Sequence, residues 1–130
     1  MDITPTVQQQ VHDFNTAITL WFTGETAIEN IDNVSGRLHK DFMMVAPDGS
    51  VKNHEDLTAW LITVHGKKPG FTAIAGQFSL SYSADNMAII VYHETQKTPS
   101  GTNNRRSSAL FIADGEGKIT WRHLQETWII

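Results

Sequence analysis

Apolar residues recur at steps of three and four from Val7 through Val11, Phe14 and Ile18 to Trp21, while Gln8, Gln9, Asp13 and Thr16 fall off that stripe. The spacing predicts an amphipathic helix. Thr4-Pro5 supplies its start, a hydroxyl at the cap and a proline at the first helical position, and Gly24 supplies its end. A second, weaker helical stretch carries Ala27, Ile28 and Ile31 on one side and breaks near Asn33 and Ser35-Gly36. Arg37-Leu38-His39 adds one further turn, and Asp41 to Ala46 reads as a short strand closed by the turn Pro47-Asp48-Gly49-Ser50. Asn53 then caps a third helix, with Asp56 placed to complete a capping box and Leu57, Trp60, Leu61 and Val64 as the buried stripe. Gly66-Lys67-Lys68-Pro69-Gly70 stops it with a left-handed cap residue, two cations and a proline.

From Phe71 onward the period changes from 3.6 to 2. Thr72 to Ser83 alternates, with Ile74, Phe78, Leu80 and Tyr82 on one face and Ala73, Ala75, Gln77, Ser79 and Ser81 on the other. After the turn at Asp85-Asn86, Met87 to Lys97 is apolar on both faces at its start, as in a strand covered on both sides. Pro99 to Asn104 reads as a longer hairpin loop, Arg105 to Ala113 as the returning strand, and Asp114-Gly115-Glu116-Gly117 as a turn. The final run, Gly117 to Ile130, is rich in β-branched and aromatic residues and is expected inside the sheet, with earlier strands pairing around it. Helices segregated from strands give an α+β fold. The expected form is a cone-shaped, curved antiparallel sheet whose concave face is closed by three N-terminal helices, with a ligand-sized cavity at the open mouth.

Composition narrows the classes. The 130 residues suit one domain with one core, and 40% hydrophobic against 18% charged residues is a globular balance. Ten basic against fourteen acidic side chains give a net charge of −4, which with no basic run argues against a nucleic-acid partner. No residue is cysteine, so disulfides, thiolate metal sites and cysteine nucleophiles are excluded. No apolar run approaches membrane-spanning length and the first residues lack signal-peptide character, so the expectation is a soluble, cytoplasmic protein with no membrane partner. The six histidines (His12, His39, His54, His65, His93 and His123) form no metal-binding spacing, and neither a metal nor a cofactor is expected. His93 and His123 are expected on one outer face of neighbouring strands.

Three stretches carry a resemblance: Leu38-His39-Lys40-Asp41-Phe42 leading to Pro47-Asp48-Gly49, then Asn86 to Tyr92, then Gly117-Lys118-Ile119 through Glu126. In this order and spacing the chain resembles the nuclear transport factor 2-like superfamily, which includes ketosteroid isomerases, scytalone dehydratase and SnoaL-type polyketide cyclases. The last two stretches are also similar to the association domain of calcium/calmodulin-dependent protein kinase. Laid against that domain, Glu94, Ser108 and Glu126 fall where it places pocket arginines. The resemblance therefore implies an inward set of Tyr92, Glu94, Arg106, Ser108, Leu110, Arg122, Leu124, Glu126 and Trp128. The isomerase set transfers poorly: Asp41 is the nearest match to its base, and the first helix has no tyrosine.

Glu94 and Glu126 are the catalytic candidates, since two carboxylates in a low-dielectric site near Arg106 cannot both ionise cheaply and one is then poised as acid or base. The competing reading is a structural Glu–Arg pair. Trp60, Tyr92, Arg106, Ser108 and Leu124 are the ligand-binding candidates, Trp60 as a flat wall for a small apolar or aromatic ligand or else an ordinary core residue. Arg105 and Arg106 are neighbours on a strand and point to opposite faces, so they cannot clamp one ligand together. The outer sheet face would show Met87, Ile89, Val91, Trp121, His123 and Gln125, and a homodimer packed sheet to sheet is the expected cover. Two functions remain open: a small-molecule pocket protein, with cofactor-independent isomerase, dehydratase or cyclase chemistry on carboxylates as its catalytic form, or a non-catalytic dimerisation or ligand-sensing module.

Overall fold

The computed structural model describes all residues, Met1–Ile130. Helix α1 spans Thr4–Thr23, a 3₁₀ turn covers Ile28–Asn30 and the one-turn helix α2 covers Asp32–Ser35. Strands β1 (Leu38–Val45) and β2 (Val51–Asn53) precede α3 (His54–Val64), and β3 (Thr72–Ala84), β4 (Met87–Thr98), β5 (Gly101–Ala113) and β6 (Ile119–Trp128) follow. The start of α1 is capped from outside: the Asp2 carboxylate accepts from the Thr4 N–H at 2.9 Å, and Thr4 itself is already helical. Gly24 ends α1 in the left-handed conformation at φ +82°. At α3 the capping box is complete, Asn53 Oδ1 accepting from the Asp56 N–H at 2.8 Å and Asp56 Oδ2 from the Asn53 N–H at 3.1 Å.

The six strands form one sheet in the order β2-β1-β6-β5-β4-β3. The sheet is curved and unclosed, and β6 lies inside it, between β1 and β5. It is mixed rather than wholly antiparallel, because β1 runs parallel to β6. Leu38 begins β1 rather than extending a helix, and the short strand β2, absent from the sequence reading, folds back antiparallel on β1. Helix α1 lies over β3 and β4, and α3 packs on β1 and β2. Between them they cover one face, where Val7, Val11, Trp21, Leu61, Ala88, Ile90, Ala109, Phe111 and Trp121 form the buried core.

Three irregularities decide which side chains face that core. Between Gly76 and Ser79 two residues oppose Tyr92, and Gln77 takes a φ of +52°. A second slip follows Leu80. The bulges turn Phe78 inward, its ring 5.5 Å from that of Tyr92, and leave Ile74 outside at 61% exposure, so the expected single face of β3 is divided. In β6, Phe111 pairs with Trp121 and Leu110 with His123, which leaves Arg122 as an extra residue. Trp121 and Leu124, three positions apart, therefore both point inward, and Trp121 belongs to the core rather than to the outer face.

The β4–β5 turn has the largest consequence. Thr98 pairs with Gly101, so the hairpin closes over two residues, Pro99-Ser100, not a six-residue loop. That register pairs Glu94 with Arg105, Tyr92 with Ser107 and Ile90 with Ala109. Cross-strand partners share a face, so β5 turns Arg105, Ser107, Ala109 and Phe111 inward and Arg106, Ser108 and Leu110 outward. The outer face accordingly shows Met87, Ile89, Val91, His93, Arg106, Ser108, Leu110, His123 and Gln125. His93 and His123 are not on neighbouring strands, since β5 runs between theirs.

Candidate functional site

Between the helices and the sheet lies a cavity of about 360 Å³. Its walls are mainly apolar: Ile18 and Phe22 of α1, Phe42 and Met44 of β1, Leu57, Trp60 and Leu61 of α3, and Leu124 of β6 all border it. Trp60 is half-buried on the cavity wall, its ring edge-on to Phe22 at 5.8 Å between centroids.

One end of the concave face is polar. Two successive cross-strand rows form it: Glu94, Arg105 and Trp128, then Tyr92, Ser107 and Glu126. All but Trp128 are buried. Arg105 sits at the centre. Its Nη1 donates to Glu126 Oε1 at 3.1 Å, its Nη2 donates to Gln96 Oε1 at 3.2 Å and Asn103 Oδ1 at 2.8 Å, and its guanidinium lies 4.8 Å from the centre of the Trp128 ring. Gln96 Nε2 donates in turn to Glu94 Oε2 at 2.7 Å. Burial pushes the Glu126 carboxyl up to about 7, against the opposing pull of Arg105 and with help from the nearby charge of Glu94. Burial first, and the two carboxylates next, hold the Tyr92 phenol well above its usual range, so it stays protonated.

Of the residues singled out from sequence, Glu94, Glu126, Tyr92, Trp60 and Leu124 border this cavity together. Arg106 and Ser108 do not: Arg106 is exposed on the outer face and Ser108 stands beside it on that face. Their places are taken by Arg105 and Ser107, because the register that pairs Thr98 with Gly101 sets the odd-numbered residues of β5 opposite the inward, even-numbered residues of β4. Gln96 and Trp128 complete the polar end.

Two further polar groups border the cavity from the helical side. Asn15 of α1 is 7% exposed, and no hydrogen bond closes on its amide. It falls in the inward row Val11, Asn15, Ile18, Phe22, and a polar residue in such a row is a signal readable in the sequence. Lys68 follows α3. Its Nζ lies 4.3, 5.4 and 5.8 Å from the ring centres of Phe22, Trp60 and Phe71. Burial, with the charge of Arg105 second, holds its ammonium below the usual lysine range. The sequence showed Lys68 only as one of two cations after a helix.

Comparison with solved structures places this architecture. An NTF2-like protein of unknown function from Pseudomonas aeruginosa superposes with a TM-score of 0.91 at 30% sequence identity, over 96% of this chain and 99% of that one. The chain belongs to the NTF2-like family. An NTF2-like protein from Cytophaga hutchinsonii shares the fold at a TM-score of 0.75 and 14% identity, over 99% of this chain and 100% of its own. A putative calcium/calmodulin-dependent kinase II association domain from Exiguobacterium sibiricum does so at 0.65 and 15%, over 98% of this chain and 93% of its own. No protein-family model and no curated protein sequence matches the chain. The chemistry of the cavity is that of this chain's own side chains. No helix is long and apolar enough to cross a membrane.

Proposed function

We propose that this NTF2-like protein binds a small molecule in the cavity and moves a proton on it through Glu126, with Arg105 fixing that carboxyl and Glu94 keeping its surroundings negative. The observation that carries the reading is an apolar cavity ending in a buried polar row. A sheet that needed only a core would continue the Ile90–Ala109–Leu124 pattern, whereas burying Glu94, Arg105 and Glu126 costs free energy that closure alone does not require. A carboxyl titrating near 7 exchanges protons at neutral pH in either direction, the property a general acid–base group needs. Cavity resonances of Leu57, Trp60 and Leu124 should shift in an NMR screen of small apolar compounds, and Glu126→Gln should keep binding while losing any turnover found. A screen in which no compound moves those resonances overturns the reading.

The outer sheet face supports a second property. Ile74 and Tyr82 are 61% and 55% exposed, and Met87, Ile89, Val91 and Leu110 are only half-buried. We propose that two copies pair through this face. Sedimentation should give twice the 14.5 kDa chain mass, and Val91→Glu should return it to a single chain. A wild-type chain that sediments alone at high concentration removes the proposal.

A further inference from the structure

The helical wall of the cavity holds two polar groups with no protein partner suited to them. The first is Lys68. The ion pairs of the chain join Met1 to Asp85, His39 to Asp41 and Arg105 to Glu126, and none reaches Lys68. The charge of Arg105 is met by Glu126, and Lys52 at the rim shares its field with Asp48, so Lys68 is the unmatched cation of the cavity.

Lys68 is also placed rather than trailing. Its N–H donates to the Phe22 carbonyl at 3.0 Å, and the Gly66 N–H donates to the Trp21 carbonyl at 3.1 Å. The two chain segments approach so closely that a Cβ on Gly24 would lie 3.2 Å from the Gly66 Cα. Trp21 Nε1 donates to the Leu61 carbonyl at 2.8 Å, tying α1 to α3 at the same junction. The base of the lysine is therefore fixed on the end of α1, and its ammonium rests over Phe22, Trp60 and Phe71. Cation–ring contact steadies an ammonium but leaves its N–H donors free for an anion.

The second group is Asn15, two helical turns earlier on the same inward row as Phe22. Seven residues of helix separate them, about 10 Å at 1.5 Å per residue. A buried amide without partners is costly unless something else satisfies it. Amides pair with neutral hydroxyls and carbonyls, ammonium groups with carboxylates.

We infer that the cavity takes a flat, largely apolar carboxylic acid, its anion received by Lys68 and a neutral hydroxyl or carbonyl at its far end received by Asn15. This rests on the reading of the cavity as a ligand site and adds the ligand's class, polarity and length. The arrangement is also selective: Arg105 is already engaged by Glu126 and the nearby charge of Glu94 opposes an anion on the sheet side, so the carboxylate is directed to the helical side.

The test uses 6-hydroxy-2-naphthoate and its neutral primary amide as probes, titrated into the full chain and followed by NMR shifts of cavity residues, which also report that each variant is folded. The acid should bind about tenfold more tightly than the amide, the size of one charge-assisted contact. Lys68→Met should abolish that preference and leave the amide's binding intact, while Lys68→Arg should retain it. Asn15→Leu should weaken both hydroxylated probes and leave 2-naphthoate unaffected. Equal binding of acid and amide to the wild type, or a preference that survives Lys68→Met, overturns the inference while the cavity remains a ligand site. Failure of all three probes to shift any cavity resonance overturns the cavity reading and the inference together.

Discussion

The two ends of the concave face share one hydrogen-bonded ladder and differ almost only in side chains. At one end the rows are Ile90–Ala109–Leu124 and Ala88–Phe111–Trp121. At the other they are Glu94–Arg105–Trp128 and Tyr92–Ser107–Glu126. Both ends are buried, with Phe111 at 0% exposure and Glu94 at 5%. The apolar end gains free energy from every row, through transfer from water and close packing. The polar end must recover a desolvation cost through Arg105 and its four acceptor contacts, counting Trp128, before it contributes anything. The difference assigns stability to one end and chemistry to the other, and substitutions should separate the two.

The largest effect is expected at the apolar end. Trp121 is 2% exposed and packs against Phe111 and Phe14 with ring centres 4.5 and 5.1 Å away. Trp121→Ala should cost about 3–5 kcal/mol, as large cavities in cores do, and should do so equally at pH 5 and pH 8. Urea denaturation at the two pH values measures this. A cost that depended strongly on pH would place Trp121 in the electrostatic network instead.

At the polar end, Arg105→Met should cost about 2–4 kcal/mol at pH 8, because Glu126 is left buried without its partner. The same substitution should cost less at pH 5, where Glu126 takes up a proton and is no longer a buried charge without its partner. A pH-independent loss would mean that Arg105 acts through packing on Trp128 rather than through charge.

Glu126→Gln sharpens the point with the opposite sign. The folded carboxyl titrates at about 7, above its ordinary 4.5, so between those values the folded state holds more protons than the unfolded one. Wild-type stability therefore falls as pH rises from 4.5 through 7, and the loss is complete above 7. Glutamine lacks this loss and can still accept from Arg105 Nη1. The variant should gain about 1–3 kcal/mol on the wild type between pH 4.5 and pH 8, read as a widening gap between urea midpoints. Parallel pH profiles would show that Glu126 is not the group that titrates.

The sequence carried the fold further than the site because the two depend on different signals. The stripe Val7–Val11–Ile18, the capping box at Asn53 and Asp56, and the β-branched run of β6 are local patterns, and the helices and the interior final strand follow from them. Facing within the sheet is not local. It turns on whether Thr98 meets Gly101, and one residue of difference there exchanges Arg105 and Ser107 for Arg106 and Ser108. The extra residue at Arg122 likewise sent Trp121 inward against simple alternation. The Pro99-Ser100-Gly101 sequence was the available signal, since a glycine just after two turn residues suits a tight hairpin. Lys68 was less legible still, because nothing in its neighbours announces that a helix-ending turn folds back onto aromatic rings.

The smallest effect is expected where the two ends meet, at Ser107. It is wholly buried, faces Tyr92 and Glu126 across the neighbouring strands, and no hydrogen bond closes on its hydroxyl. A serine used only as filler carries a polar group that burial penalises, so Ser107→Ala should leave stability within about 1 kcal/mol of the wild type or raise it. A serine that served Glu126 would behave differently: removing its hydroxyl would withdraw a donor from the carboxylate and push the carboxyl's titration above about 7. Following the Glu126 carboxyl by carbon NMR in Ser107→Ala distinguishes these cases. An unchanged midpoint with unchanged or greater stability places Ser107 with the apolar rows. An upward shift keeps Ser107 with the polar rows, as a donor to the Glu126 carboxylate.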